Sequence, residues 1–586
     1  MRKIKRQTTN IQKIFNNLFL VQLVLNITSC FCNIANGFFA GNFLDNLAIS
    51  CNSLIIPYNM IILSFAYIFS SSSEILCGKY LGSGDKKSLS KIFTVVIFLG
   101  TAFSIAFTII PYLMPTYIIK LLGGNDVIMT AATSFIYGYS IGIITYVLMP
   151  IFITFLNIEN EGKHVTESIV LLAILYIVFG YTFTSILKLS YFGLGLANSL
   201  SQICTAIFLF ARILKNKEQI FFIKTDFDFN YIKKILMLGI PSGYTGILIS
   251  IRNIMFNNII IKTGGVIAMS AYSVMLSGVT VQDAIITSCL NTTMIVTGIC
   301  VGEKNKEELL QLIKHIFTFI IPINTLFVIV QIILSRHIAS IYTSDMNVLS
   351  IANTAIKLYL MATIFEMCNS SLIATYTVFE KYRFVNIFNL LHCFVFHIVF
   401  SLVMSKYISY YAVFGSFLFA EMLSFFVYVL YSTYNRKHFP KTYYDLLAFE
   451  DNLDCEKKLY INMESYKEIA SVSQKISVFC KENNVPQRKS NIAGLCTEEM
   501  VANIFEHGLA KKKESNIQID VFVIMEKNNV VIRIRDNSIA FDPETRSTIF
   551  NPEDPTKNIG LRIVKNMSKD ITYQNLFGLN NTIIKI

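Results

Sequence analysis

The stretch Glu498 to Gly508, EEMVANIFEHG, spaces an acid, an amide and an imidazole four residues apart at Glu499, Asn503 and His507. On a helix, side chains four apart lie on one face. Such a row could hold a divalent cation through the amide oxygen and position a water with the carboxylate. It could equally be an ordinary wet face. Two later stretches bear on the choice. RDNSIAFDP (535–543) carries Asp536 at the end of an alternating run, and NIGLRIVKN (558–566) carries Gly560 at a helix start. Free N–H groups at a helix N-terminus suit phosphate. The elements that must position these residues are legible. Helix patterns run over about 464–483 and 488–509. NIQIDVFVIMEKNNVVIRIRDN alternates with period two around Asn528 and Asn529, which predicts a hairpin, and ITYQNLFGLNNTIIKI reads as a last hairpin.

What precedes this region is different in kind. The 586 residues are 53% hydrophobic and only 15% charged, against roughly 25% charged in a soluble protein. The deficit lies in residues 1–435, whereas 436–586 reads as a soluble domain. A membrane span needs about 20 apolar residues. The runs 52–73, 92–114, 316–335 and 384–405 hold no charge. Allowing isolated polar residues, twelve spans are expected, near 17–40, 52–77, 92–115, 133–157, 166–187, 191–212, 239–261, 270–300, 312–335, 354–379, 384–405 and 409–432. A net charge of +12 would suggest nucleic acid in a soluble chain. Here the basic residues gather in alternate loops, around Lys79–Lys91, Arg212–Lys234, Lys304–Lys314 and Lys381–Arg383, and at the N-terminus. By the positive-inside rule this predicts a multi-pass membrane protein with both termini cytoplasmic. The lipid bilayer is then the partner, and nucleic acid is not. Twelve cysteines are scattered without CxxC or zinc spacing, so buried thiols are expected and no disulfide frame.

The chain repeats. CGKYLGSGDKK (77–87) aligns with TGICVGEKNKE (297–307), Gly78 on Gly298 and Gly82 on Gly302, while Ala48 falls on Ala271 and Ser50 on Ser273. Two parallel six-span repeats with a site between them are a transporter plan. With NIANGFFAGNFLDNLAISCNSLIIP, ILMLGIPSG (235–243) and TGGVIAMSAYSV, these pieces resemble the MATE (multidrug and toxic compound extrusion) transporters over roughly residues 15–435. The resemblance implies an all-α polytopic membrane part of two six-helix bundles, 1–230 and 231–435. It also implies alternating access and export of small organic compounds against Na⁺ or H⁺. Many prokaryotic members bind the coupling cation with an Asp where this chain has Asn36.

Ionisable residues inside spans are expensive and often functional. The candidates are Glu74, Arg252, Asp283, Lys357, Glu366, His392, His397 and Glu421. Glu74 and Lys357 are expected to reach water at span ends. Arg252 is expected to pair with Asp283 or Glu366, which with Asn36 form the candidate transport site. His392 and His397, five apart, do not share a helix face and read as satisfied interior histidines rather than a proton relay.

After a linker over 436–461, residues 462–586 resemble the GHKL (Bergerat-type) ATPase superfamily, and within it the anti-sigma-factor serine kinases. This implies an α+β sandwich that binds ATP with Mg²⁺. Glu499 then matches the catalytic base, Asn503 the Mg²⁺ ligand, and Asp536 the acceptor for the adenine amino group. Gly560 matches the phosphate turn, Asn581 and Thr582 the final strand motif, and His507 a histidine frequent in that branch. The chain departs from the pattern at Ser538, Ala540 and Asn558, where glycines are usual. His438 is followed by no dimerisation-helix pattern, which argues against a sensor histidine kinase. No GxxxxGK[ST] motif is present. The expected whole is a MATE-like antiporter with a regulatory ATP-binding domain. The alternative is a membrane-anchored switch whose GHKL domain phosphorylates or sequesters a cytoplasmic regulatory protein. Whether the domain is a kinase or ATPase stays open.

Overall fold

The computed structural model describes residues 10–44, 46–83, 85–122, 126–158, 161–215, 229–343, 345–407, 413–447, 458–463, 465–508, 517–526, 529–539, 541–543, 559–576 and 579–586. The apolar part folds as helices, because inside a bilayer only intra-segment hydrogen bonds can satisfy the backbone. The first bundle comprises α1 (Asn10–Phe43), α2 (Asn46–Ser83), α3 (Lys86–Leu113), the short α4 (Pro115–Leu121), α5 (Asp126–Ser140), α6 (Ile143–Ile158), α7 (Gly162–Tyr181) and α8 (Ser190–Lys215). The second comprises α9 (Phe229–Gly302), α10 (Lys306–His315), α11 (Ile321–Tyr342), α12 (Met346–Val378), α13 (Tyr382–Leu390), α14 (Phe396–Tyr407) and α15 (Gly415–Arg436). Among the described residues, eleven helices are long and apolar enough to cross a membrane, and the 34-residue α1 precedes them.

Two details add to the span pattern. The expected spans 239–261 and 270–300 are the two arms of α9, helices that meet at a kink where Gly265 takes φ 65°, a conformation open to a residue without Cβ. And α10 runs into α11, as α13 does into α14, through π-turns at Ile316–Ile320 and Leu391–Val395. The bundles meet along α2 and α9. A Cβ on Gly78 would lie 2.6 Å from the carbonyl oxygen of Ile295, and one on Gly298 would lie 3.1 Å from that of Ile75. Only glycine permits backbones this close.

The segment after α15 folds back. The Tyr376 hydroxyl donates to the Leu446 carbonyl at 2.8 Å, Arg436 donates to the Leu447 carbonyl at 2.8 Å, and Leu446 and Leu447 are buried against the bundle core. The C-terminal domain is an α+β sandwich. Strand β1 (Lys458–Met463), which straddles the end of the expected linker at 461, opens a five-stranded antiparallel sheet. Its other strands are β2 (Ile519–Glu526), β3 (Asn529–Asp536), β4 (Asp570–Leu576) and β5 (Leu579–Lys585), in the order β1-β2-β3-β5-β4. The predicted hairpin pairs Glu526 with Asn529 and Ile519 with Asp536. Helices α16 (Ile469–Glu482), α17 (Gln487–Asn503) and α18 (Ile559–Met567) cover the face that carries Ile519, Val521, Val523, Ile532 and Ile534. The alternate residues Phe522, Ile524, Val531, Arg533, Arg535 and Ile583 are buried as well. The sheet is therefore covered on both faces, which accounts for its nearly continuous apolar strands.

Candidate functional site

In the C-terminal domain, Glu499 and Asn503 share the half-buried face of α17. Asn503 Nδ2 donates to the Glu499 carbonyl at 2.7 Å. That commitment leaves the amide oxygen, the harder atom, for a cation. His507 does not continue the row. The helix passes into a π-turn at Ile504–Gly508, which changes the spacing from four residues to five, and His507 is exposed. Gly560 sits in the first turn of α18, directly against the acid: a Cβ there would lie 2.1 Å from Glu499 Oε2. The helix start and the acid thus form a cradle that any side chain at 560 would fill.

Asp536 ends β3 and is 2% exposed. Its Oδ1 accepts from the Ser538 N–H at 2.9 Å, from Asn580 Nδ2 at 2.8 Å and from the Ser538 hydroxyl. Asn580 is held in turn by the Tyr573 hydroxyl at 2.7 Å. Ser538, one of the lost glycines, therefore spends its side chain on the acid it follows. A Cβ on Gly508 would lie 2.6 Å from the Ser538 Cβ, so the end of the π-turn packs on the same corner. Thr582 pairs opposite Ile534 on the helix-covered face, and Asn581 pairs opposite Arg535 on the other. Strand alternation thus separates the two residues of that motif. Ala540 and Asn558 lie outside the described residues.

In the membrane part a cavity of about 210 Å³ lies among α1, α2, α6, α7, α8 and α9. Gln22, Asn26, Tyr67, Asn198, Gln202 and Asn291 line it together with Glu74. Asn26 Nδ2 also bonds the Ser288 hydroxyl at 2.9 Å, tying the two repeats together beside it. Glu74 does not reach water at a span end, as its position suggested: it is 4% exposed. The reason is the polar run before it, since Ser70 to Ser73 are buried too and continue the polar stripe of α2 into the bundle. Among the described residues Glu74 has no hydrogen-bond or ion-pair partner.

The second bundle gathers the remaining ionisable candidates. Asp283 accepts from the Tyr359 hydroxyl at 2.9 Å. Arg252 forms no ion pair with Asp283 or Glu366 among the described residues. Its guanidinium lies 5.8 Å from the Phe417 ring centre and 3.5 Å from the Asn253 amide oxygen. A cation over an aromatic face needs no carboxylate to be held, and Arg252 stays within electrostatic reach of both acids. The histidines are more closely connected than their spacing suggested. The π-turn at Leu391–Val395 follows an i to i+5 pattern, so His392 and His397 come to one side and flank Glu421. His392 Nε2 is 2.8 Å from Glu421 Oε2, and His397 Nε2 is 3.6 Å from Oε1. Asn369 Nδ2 donates to the same carboxylate at 2.8 Å. Asn36 lies on α1, but its side chain is outside the described residues.

The arrangement has relatives. The MatE family model matches residues 23–182 and 241–403, and a histidine kinase-like ATPase domain model matches residues 464–585. No curated protein matches the chain. Among solved structures, an outward-facing multidrug resistance MATE family transporter of the MOP superfamily aligns with TM-score 0.67 at 17% identity, over 72% of this chain and 97% of that one. An aspartate-to-asparagine mutant of the Vibrio cholerae MATE transporter VcmN aligns with TM-score 0.67 at 13% identity, over 75% and 100%. A Pyrococcus furiosus MOP superfamily transporter aligns with TM-score 0.67 at 17% identity, over 72% and 97%. At these identities the likeness is one of fold. The family match is more, because it spans over half of the chain: this protein belongs to the MatE family of membrane transporters and carries a histidine kinase-like ATPase domain at its C-terminus.

Proposed function

We propose that the protein exports small organic cations across a bacterial plasma membrane by antiport with H⁺ or Na⁺, and that its ATPase-like domain lies on the cytoplasmic side as a regulator. The observation that carries this reading is Glu74. Among the described residues this carboxylate has no hydrogen-bond or ion-pair partner, and it faces a cavity to which both repeats contribute. A charge held this way inside a membrane is costly, and a proton or a bound cation removes the cost. Tyrosines and amides around it suit an amphipathic cation better than an anion. Asp283, Glu366 and the Glu421–His392 pair supply further carboxylates for the coupling ion. Tetraphenylphosphonium binding to the purified protein tests this: saturable binding is expected for the wild type and a loss for Glu74→Gln. Equal binding by both would refute the site.

For the C-terminal domain we propose ATP binding with Mg²⁺. Asn503 would hold the metal, Asp536 the adenine amino group, and the start of α18 at Gly560 the phosphates, with Glu499 orienting an attacking hydroxyl. Bound ATP supplies a phosphoryl group whose charge Mg²⁺ offsets. The cradle at Gly560 supports this, and Ser538 does not close it, since it bonds Asp536 from within the same turn.

A further inference from the structure

The outer face of the C-terminal sheet rests on the seam between the two bundles. Arg533 and Arg535 point from β3 into that contact. Nη2 of Arg533 donates to the carbonyl of Gly82, in the last turn of α2, at 2.6 Å. Its Nη1 donates to the carbonyl of Glu303, just past the end of α9, at 3.3 Å. One guanidinium therefore ties the two repeats together where Gly82 and Gly302 touch. Arg535 is 2% exposed, and its Nη1 meets both oxygens of Glu308 at 2.8 Å, while Nη2 donates to Glu303 Oε1. Glu303 is 1% exposed. Lys13, in the first turn of α1, adds a bond to Gln518 at 3.0 Å.

We infer that the C-terminal domain is a brace: docked through Arg533 and Arg535, it holds the two repeats closed against each other at this end of the transporter and so limits transport. The inference rests on the transport reading above. Alternating access moves one bundle against the other, and the Gly82–Gly302 seam cannot part while one side chain bonds both of its edges. The chemistry suits a contact that opens as well as closes. Two arginines face Glu303 and Glu308, with the buried Asp520 opposite Arg535 on β2, so the cluster is held by carboxylates on both sides of the contact. Removing one partner strands the others in a buried site, whereas undocking the whole sheet returns all four to water, which repays their desolvation. The Arg535 fork, with Nη1 on Glu308 and Nη2 on Glu303, fixes the register of docking.

Hydrogen exchange on the full-length protein tests the brace, read in peptides covering 75–85 and 296–306, together with cation flux in proteoliposomes. Arg533→Ala with Arg535→Ala should raise exchange in both peptides and raise flux, each by about fivefold or more, the low end of coupling between sites. Glu303→Gln with Glu308→Gln should do the same from the transporter side. Protection of β2 that stays at the wild-type level shows that the domain remains folded. Unchanged seam exchange in both variants would overturn the brace, and so would faster exchange with unchanged flux. Faster exchange in variants, with no gradient-driven flux in any protein including the wild type, would overturn the transport reading and leave the closed seam braced.

Discussion

Gly82 and Gly302 touch backbone to backbone. A Cβ on Gly82 would lie 2.3 Å from the Ile299 carbonyl oxygen, and one on Gly302 would lie 2.0 Å from the Lys79 carbonyl oxygen. Lys79 and Ile299 are related by the same shift of 220 positions that relates the glycines. The contact is therefore reciprocal, as an isologous interface between two copies would be. The repeat first visible as two similar loops is also the place where the repeats meet.

This contact predicts an asymmetry of cost. Gly302→Val should destabilise the protein by about 1–3 kcal/mol, because the obstacle is backbone and cannot turn aside. Thermal melting of the purified protein measures it. A melting temperature equal to that of the wild type would mean that the helices do not meet here.

At Gly560 the obstacle is the end of a flexible side chain, and the expectation differs. Gly560→Ala should leave stability within about 0.5 kcal/mol but swing Glu499 from its place. The methyl group also enters the phosphate cradle, so ATP binding should weaken with and without Mg²⁺ alike. Asn503→Ala should instead weaken Mg²⁺-dependent ATP binding by about tenfold, or about 1.4 kcal/mol. Calorimetry with and without Mg²⁺ separates the two.

Glu421 is held by two hydrogen-bonding neighbours and approached by a third. His392→Ala removes the 2.8 Å contact and leaves a buried acceptor short of a donor, at a cost of about 1–3 kcal/mol. His397→Ala, losing only the 3.6 Å approach, should cost less. Melting temperatures in the reverse order would contradict the assignment of His392 as the main partner.

Much of this was legible in the chain and some was not, for physical reasons. Uncharged runs such as 92–114 announce spans because a bilayer tolerates little else. The alternation from Ile519 to Asp536 announces a hairpin, which the sheet forms with Asn529 as the first residue of β3 rather than in the turn. His392 and His397 misled because a spacing of five means different faces on an α-helix and one side on a π-turn, and no residue type marks the π-turn. Glu74 misled because hydropathy does not say which side of a span faces lipid, although the serines before it mark a polar stripe. Arg533 and Arg535 carry the same ambiguity on a strand. Alternation shows that they leave the core face, not what covers them.

The measurement that bears most directly on the whole account is flux of a lipophilic cation from proteoliposomes under an imposed proton or sodium gradient, comparing wild type with Glu74→Gln. The account predicts gradient-dependent flux in the wild type and none in the variant, with both proteins folded. Full flux in Glu74→Gln, or none in the wild type under either gradient, would contradict it.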